Sequence, residues 1–164
     1  MVNIHCAYSE QINPSSSSLT LTRNQIWKGL QRKIRNAQDF VPVIDKTEVV
    51  EDKDGVVTRI TYYDTKEDQP GHTVKEVCKE YHPTKVDFHQ PNGTLITNTI
   101  SDGPSLKDEG LCMTYTFEWQ YPKVEDGSDE HKKLIAEHVQ MAKDAVQSSI
   151  EAMRKMAKAG ELGQ

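Results

Sequence analysis

From Ser128 or Asp129 to about Ala159 the sequence reads as one helix, stopped by Gly160. At about 1.5 Å per residue it would be roughly 45–50 Å long. It is apolar along a single arc, read at 100° per residue. Ile135, Val139, Ala142, Val146, Ile150 and Met153 form the centre of that arc, and Leu134, Met141, Ala145 and Ala152 extend it. Lys133, Glu137, Gln140, Asp144, Glu151 and Lys155 fall opposite. A helix this long with one apolar side needs a broad surface to cover it.

The rest of the chain supplies that surface as strands. From Leu111 to Tyr121 every odd position is large and apolar or aromatic, and the even ones are small or polar apart from Cys112. Side chains alternate faces with period two, so this is a strand with one buried face. Ile4, Cys6 and Tyr8 alternate in the same way. Val43 to Val50 and Val56 to Tyr63 flank Asp54-Gly55, a hairpin turn signal. His72 to His82, Lys85 to Gln90 and Thr94 to Ser101 follow, with Pro83 and Asn92-Gly93 as breaks. Between the first two strands, Thr22-Arg23-Asn24-Gln25 has the capping-box form, and Ile26, Trp27, Leu30 and Ile34 continue at helical spacing. Val41-Pro42 ends this helical region. The order is strand, short helices, six antiparallel strands, long helix. One helix laid across a curved antiparallel sheet buries both apolar faces. The expected class is α+β, in a single domain over residues 1–164, with no repeat.

Composition narrows the function. Net charge is −5, against a nucleic-acid footprint. Lys28, Arg32, Lys33 and Arg35 cluster at helical spacing, which reads as a solvated face. Cys6, Cys78 and Cys112 are odd in number and share no ligand spacing, so they read as reduced thiols of a cytosolic protein. No signal segment opens the chain and no apolar run reaches membrane length. His5, His72, His82, His89, His131 and His138 show no metal-site spacing, and no P-loop, dinucleotide fingerprint or nucleophile motif occurs. Neither metal nor bound cofactor is expected, and the oligomeric state stays open.

The order of elements resembles the helix-grip fold of the START, Bet v 1 and polyketide-cyclase superfamily, SRPBCC. More narrowly, "LTRNQIWKGLQRKIRNAQDFVP", "TNTIS" and "FEW" resemble the AtaL-like family, found in fungi and bacteria. The resemblance covers nearly the whole chain. It implies a curved seven-stranded antiparallel sheet wrapped around the long C-terminal helix. Some fungal relatives lie beside natural-product genes, which implies metabolite chemistry. The glycine-rich loop of the plant allergen branch is missing, so that branch's ligands do not carry over.

Candidate site residues follow from parity and phase. His138 and Ser149 interrupt the apolar arc and lie nearly in line. His138 is either a general base, with an ordinary pKa near 6.5, or a packed histidine reaching a carbonyl or water. Ser149 either back-bonds to its own helix or touches a ligand. Asn98 lies on one face with Ile96 and Ile100, where a buried amide must find partners. It is either a donor to an enolate oxygen or a partner of Tyr115 on the next strand. Tyr8, Thr58, Tyr62 and Tyr115 share faces with apolar neighbours, as do Met113 and Phe117 along the strand from Leu111 to Tyr121. Trp27 and Phe40 lie on the short helices, which in the resembled fold stand near a cavity mouth. Met141 joins from the long helix. Arg59 and Glu118 alternate outwards, Arg59 opposite Ile60 and Tyr62.

Two functions fit these residues. One is a cofactor-independent enzyme that cyclises, isomerises or dehydrates a small hydrophobic or aromatic metabolite, with His138, Asn98 and Tyr115 as its catalytic groups. The other is a non-catalytic binding or carrier protein using the same cavity between sheet and helix.

Overall fold

A computed structural model describes residues 1–65 and 70–163. Strand β1 (Val2–Gln11) leads to helix α1 (Arg23–Arg35) and a single helical turn at Ala37–Asp39. Strands β2 (Ile44–Lys53), β3 (Val56–Tyr63), β4 (His72–Tyr81), β5 (Lys85–His89) and β6 (Leu95–Ser101) follow as a meander. A second short turn at Asp108–Gly110 precedes β7 (Cys112–Tyr121), and helix α2 (Asp129–Lys158) closes the described chain. The seven strands form one antiparallel sheet in the order β1-β7-β6-β5-β4-β3-β2. This is the helix-grip arrangement, a curved sheet with one long helix across it.

Local signals explain the boundaries. Thr22 accepts from the Gln25 amide at 3.2 Å, while the Gln25 side chain accepts from the Thr22 amide at 3.0 Å, so the capping box is complete. Asp54 and Gly55 both have positive φ, 53° and 76°, as the tight hairpin between β2 and β3 requires. Ser128 accepts from the His131 amide and starts α2.

Register sets the inner face. Tyr8 pairs with Tyr115 and Cys6 with Phe117, and Asn98 pairs with Tyr115 from the other side. Helix α2 lies over β1 and β7, and α1 packs against α2, β6, β3 and β2. The core between these layers includes Trp27, Leu30, Ile34, Val57, Val86, Met113, Tyr115 and Met153.

Two phases differ from the sequence reading. In β3 the inner residues are Val57, Arg59 and Thr61, so Thr58, Ile60 and Tyr62 lie on the outer face. Arg59, expected outside, is only 4% exposed. Val57 pairs with the buried Cys78 and Arg59 with the buried Glu76, beneath the end of α1, and this pairing outweighs the pull of Ile60 and Tyr62. In α2 the buried stripe is His138, Ala142, Val146, Ser149, Met153 and Met156, rotated toward His138 and Ser149. Ile135 shares the angular position of Met153 yet is exposed, as are Val139 and Met141. Met153 has α1 against it. No described residue buries the first turns of α2 on that side.

Candidate functional site

Lys33 comes from the basic end of α1 and was expected in solvent, yet it is 7% exposed. Its Nζ lies 3.0 Å from the Tyr115 hydroxyl and 3.2 Å from Ser149 Oγ, and stands 4.3 Å from the Tyr115 ring centre. Ser149 Oγ donates in turn to the Ala145 carbonyl at 2.8 Å, so the back-bond and the contact with Lys33 coexist. Burial disfavours the ammonium, and the Arg59 guanidinium adds to that, while Glu76 opposes it. Together they lower the Lys33 pKa to about 7. Burial also raises the Tyr115 hydroxyl well above its usual range.

The elements around Lys33 are tied down by charge. Arg59 Nη1 donates to the carbonyls of Lys33 and Ile34, each at 2.8 Å, capping the last turn of α1. Its other nitrogens meet Glu76 Oε2 at 2.9 and 2.7 Å, and Gln90 donates to Glu76 Oε1 at 3.0 Å. Glu76 is thus fully engaged with Arg59 and Gln90. Among the described residues, the hydrogen-bond partners of Lys33 Nζ are hydroxyls rather than a carboxylate.

Asn98 is the register partner of Tyr115 on the neighbouring strand β6. It is 1% exposed, on the inner face. Its side-chain oxygen and nitrogen both lack a partner. The expected bond to Tyr115 does not form, because the Tyr115 hydroxyl is turned to Lys33. A buried amide with neither atom satisfied is costly.

His138 stands apart. It shares a 2.5 Å hydrogen bond between Nε2 and the Tyr121 hydroxyl, and its Nδ1 is buried without a partner. Trp119 packs edge-on at 4.1 Å between ring centres. Burial lowers the His138 pKa below its ordinary value, with Glu137 opposing, so the imidazole is neutral at neutral pH. Tyr115 and Tyr121 are six positions apart on β7, roughly 20 Å along an extended strand. Phe117 and Trp119 fill that interval, stacked at 4.7 Å. The structure therefore brings Asn98 and Tyr115 together, with Lys33 added, and sets His138 at the far end of an aromatic strip.

The other candidates divide by face. Met113, Phe117 and Ile96 line the inner face, the first two buried and Ile96 half-buried. Tyr8 is half-buried there, its hydroxyl 3.3 Å from Glu10. Trp27 is buried against His82, and Phe40 is buried at the end of α1. Thr58 and Tyr62 are outside, with the Tyr62 hydroxyl 3.1 Å from Glu48, and Met141 is 46% exposed. A groove of about 590 Å³ opens where α1 meets the C-terminal half of α2, lined by Phe40, Ser148, Ala152 and Met156 among others. A second hollow of about 420 Å³ lies mainly on the outer sheet face, around His5, Ala7, Leu95 and Thr116. Neither is lined by Asn98, Tyr115 or His138. Lys33 was missed because helical spacing put it in a basic cluster, although at 100° per residue it also falls about 20° from Ile26, at the edge of the apolar side.

Residues 6–160 match the AtaL family, described as Acetylaranotin biosynthesis cluster protein L.

The chain belongs to the AtaL family. Acetylaranotin biosynthesis cluster protein L of Aspergillus terreus is 26% identical over 159 residues, covering 95% of this chain and 91% of the relative. Among solved structures, the Zhui aromatase/cyclase from Streptomyces superposes with a TM-score of 0.69 at 12% identity, covering 97% of this chain and 98% of that one. The di-domain ARO/CYC StfQ from the steffimycin biosynthetic pathway gives 0.70 at 11% identity. There the match takes 95% of this chain but 52% of the larger protein, so this AtaL-family chain spans about half of StfQ. Identities this low establish a shared fold. Among the described residues, no helix is long and apolar enough to cross a membrane, and no group of three or more His, Cys, Asp or Glu is placed to hold a metal ion.

Proposed function

We propose that the chain binds a hydrophobic or aromatic small molecule between the inner sheet face and α2, and cyclises, isomerises or dehydrates it without a bound cofactor. The observation that carries this reading is Asn98, buried with both side-chain polar atoms open, beside Tyr115. An amide held ready in a low-dielectric site suits an oxygen that gains charge during enolisation. Phe117, Trp119 and Tyr121 form a packed aromatic strip whose rings suit an apolar, flat ligand, and His138 at the end of that strip is the proposed base. Membership of a family described by a biosynthetic cluster, and a fold shared with aromatase/cyclases, support metabolite chemistry.

One observation favours the carrier reading of the same site. His138 is engaged by Tyr121 and lies away from Asn98, so base and oxygen donor do not converge in this structure. Native mass spectrometry of protein from its native host, followed by titration and turnover assays with the extracted compound, separates the two. A bound aromatic metabolite, bound roughly tenfold or more weakly by Asn98→Ala, is the expected result. Turnover lost in His138→Gln supports the enzyme, and binding without turnover supports the carrier. Empty protein, with no thermal shift across a panel of aromatic metabolites, overturns both.

A further inference from the structure

Lys33 places an amine in the interior where its hydrogen-bond partners carry no negative charge. A methionine would fill the same space without a polar head to desolvate, and a buried ammonium is tolerated when a carboxylate or several acceptors hold it. Here the partners are the hydroxyls of Tyr115 and Ser149, and the carboxylate of Glu76 is bound to Arg59 and Gln90. The amine is also placed with care. Gly29, one turn earlier on α1, lets Met153 approach to where a β-carbon would stand, and that contact brings Lys33 opposite Ser149, one turn before Met153. Arg59 fixes the backbone carbonyl of Lys33 itself.

We propose that Lys33 Nζ is a nucleophile that condenses with the carbonyl of an aromatic aldehyde, ketone or β-dicarbonyl to form an imine, with Tyr115 carrying the proton. The inference deepens the ligand-binding reading and rests on it, since it names the ligand's reacting group as a carbonyl. The Nζ lone pair attacks the carbonyl carbon, and one of the two protons on that nitrogen passes to the oxygen to give a carbinolamine. The Tyr115 hydroxyl delivers a second proton to that oxygen, which leaves as water while C=N forms. The proton on nitrogen returns to Tyr115. One amine and one carbonyl become one imine and one water, so no oxidant or reductant is needed.

The surroundings match each step. A neutral amine lets Tyr115 donate to Nζ while Nζ donates to Ser149, and the Ser149 hydroxyl donates to the Ala145 carbonyl, so both hydroxyl donors are used. Asn98, in register with Tyr115, has a free N–H pair to polarise the carbonyl oxygen. The groove lined by Arg32, Phe40, Ser148, Glu151, Ala152 and Met156 among others runs beside the C-terminal half of α2; Lys33 is not among its lining residues, and the approach to Nζ is past Ser148, the chain neighbour of Ser149. Phe40 and Met156 also belong to the buried core, and an unbranched methionine yields to an entering ring. The groups that set the charge of Lys33 are Arg59 from β3, Glu76 from β4, Tyr115 from β7 and Ser149 from α2.

The test is reductive trapping. The folded protein is incubated at pH 7.5 with 4-hydroxybenzaldehyde and sodium cyanoborohydride, and the secondary amines are mapped by peptide mass spectrometry. With its pKa lowered to about 7, Lys33 carries more free amine at this pH than an ordinary lysine, and labelling is expected about tenfold or more faster than at the exposed Lys132 and Lys133. With 1-phenylbutane-1,3-dione, wild-type protein should gain the near-ultraviolet band of a vinylogous amide, and Lys33→Arg should not. Labelling of Lys33 no faster than Lys132 and Lys133 overturns the proposal. A parallel titration with 1-naphthol, which has no carbonyl, separates the two readings. Saturable naphthol binding with Lys33 unlabelled removes the imine and leaves the binding site. Lys33 labelling without naphthol binding keeps the nucleophile and counts against an aromatic site of the kind proposed above.

Discussion

Gly29 on α1 and Met153 on α2 touch so closely that a β-carbon on Gly29 would stand 2.7 Å from Met153 Cγ and 2.8 Å from its Sδ. Met153 is fully buried, so its side chain has little room to withdraw. This contact sets the spacing of the two helices where Lys33, Tyr115 and Ser149 meet.

Replacing Gly29 by Val should therefore cost roughly 1–3 kcal/mol through overpacking. The double variant Gly29→Val/Met153→Ala should recover part of that loss, because the added and removed volumes face each other. Urea denaturation of the four proteins measures the coupling, and strict additivity would show that the helices are not held by this contact.

Lys33 is protonated in the unfolded chain up to its ordinary pKa of 10.5 and is lowered to about 7 by burial. Between these values the unfolded state binds more protons, so this group makes stability rise with pH from about 7 to 10.5. Below about 7 both states are protonated and its destabilising effect is constant and largest. Lys33→Met should raise stability at pH 7, by roughly 1–4 kcal/mol, and flatten the alkaline rise. Chemical denaturation at several pH values checks both.

Arg59 and Glu76 form a buried pair that also holds the end of α1. Arg59→Met leaves Glu76 charged in the interior and the Lys33 and Ile34 carbonyls uncapped, and should cost about 3–5 kcal/mol. Arg59→Met/Glu76→Met should cost less than the single change, since no lone charge remains. A larger loss in the double variant would mean that the pair stabilises beyond its own desolvation.

His138 is lowered below the ordinary histidine value by burial. As pH falls through 6.5 the unfolded chain takes up a proton that the folded one resists, so stability falls toward acid until the folded value is passed. His138→Gln should remove that part of the acid slope and leave stability above neutral pH little changed. Melting curves from pH 5 to 8 are sufficient, and an unchanged slope would place the acid sensitivity elsewhere.

Much of the fold was legible because its signals are local. The capping box at Thr22, the Asp54-Gly55 turn, the alternation from Met113 to Tyr121 and the ends of α2 each depend on a few neighbouring residues. Asn98 and Tyr115 were legible as an inner-face pair for the same reason, since both strands alternate cleanly. The face of β3 was not. Its apolar residues, Ile60 and Tyr62, are on the outer side, where β-branched and aromatic side chains suit an exposed pleat, and the inner position of Arg59 follows from Glu76 on another strand.

The sequence by itself determined the elements, their order and the fold that joins them, because periodicity and capping are properties of short stretches. The tertiary structure decided which side of each element is inside, and hence the chemistry. Lys33 lies 82 residues from Tyr115 and 116 from Ser149, and only the close approach of α1 to α2 at Gly29 makes the three a group. The same packing separates His138 from Asn98 along β7. An amine placed between two hydroxyls loses its hydration, and that desolvation, absent from any local pattern, lowers the Lys33 pKa instead of leaving it a surface charge.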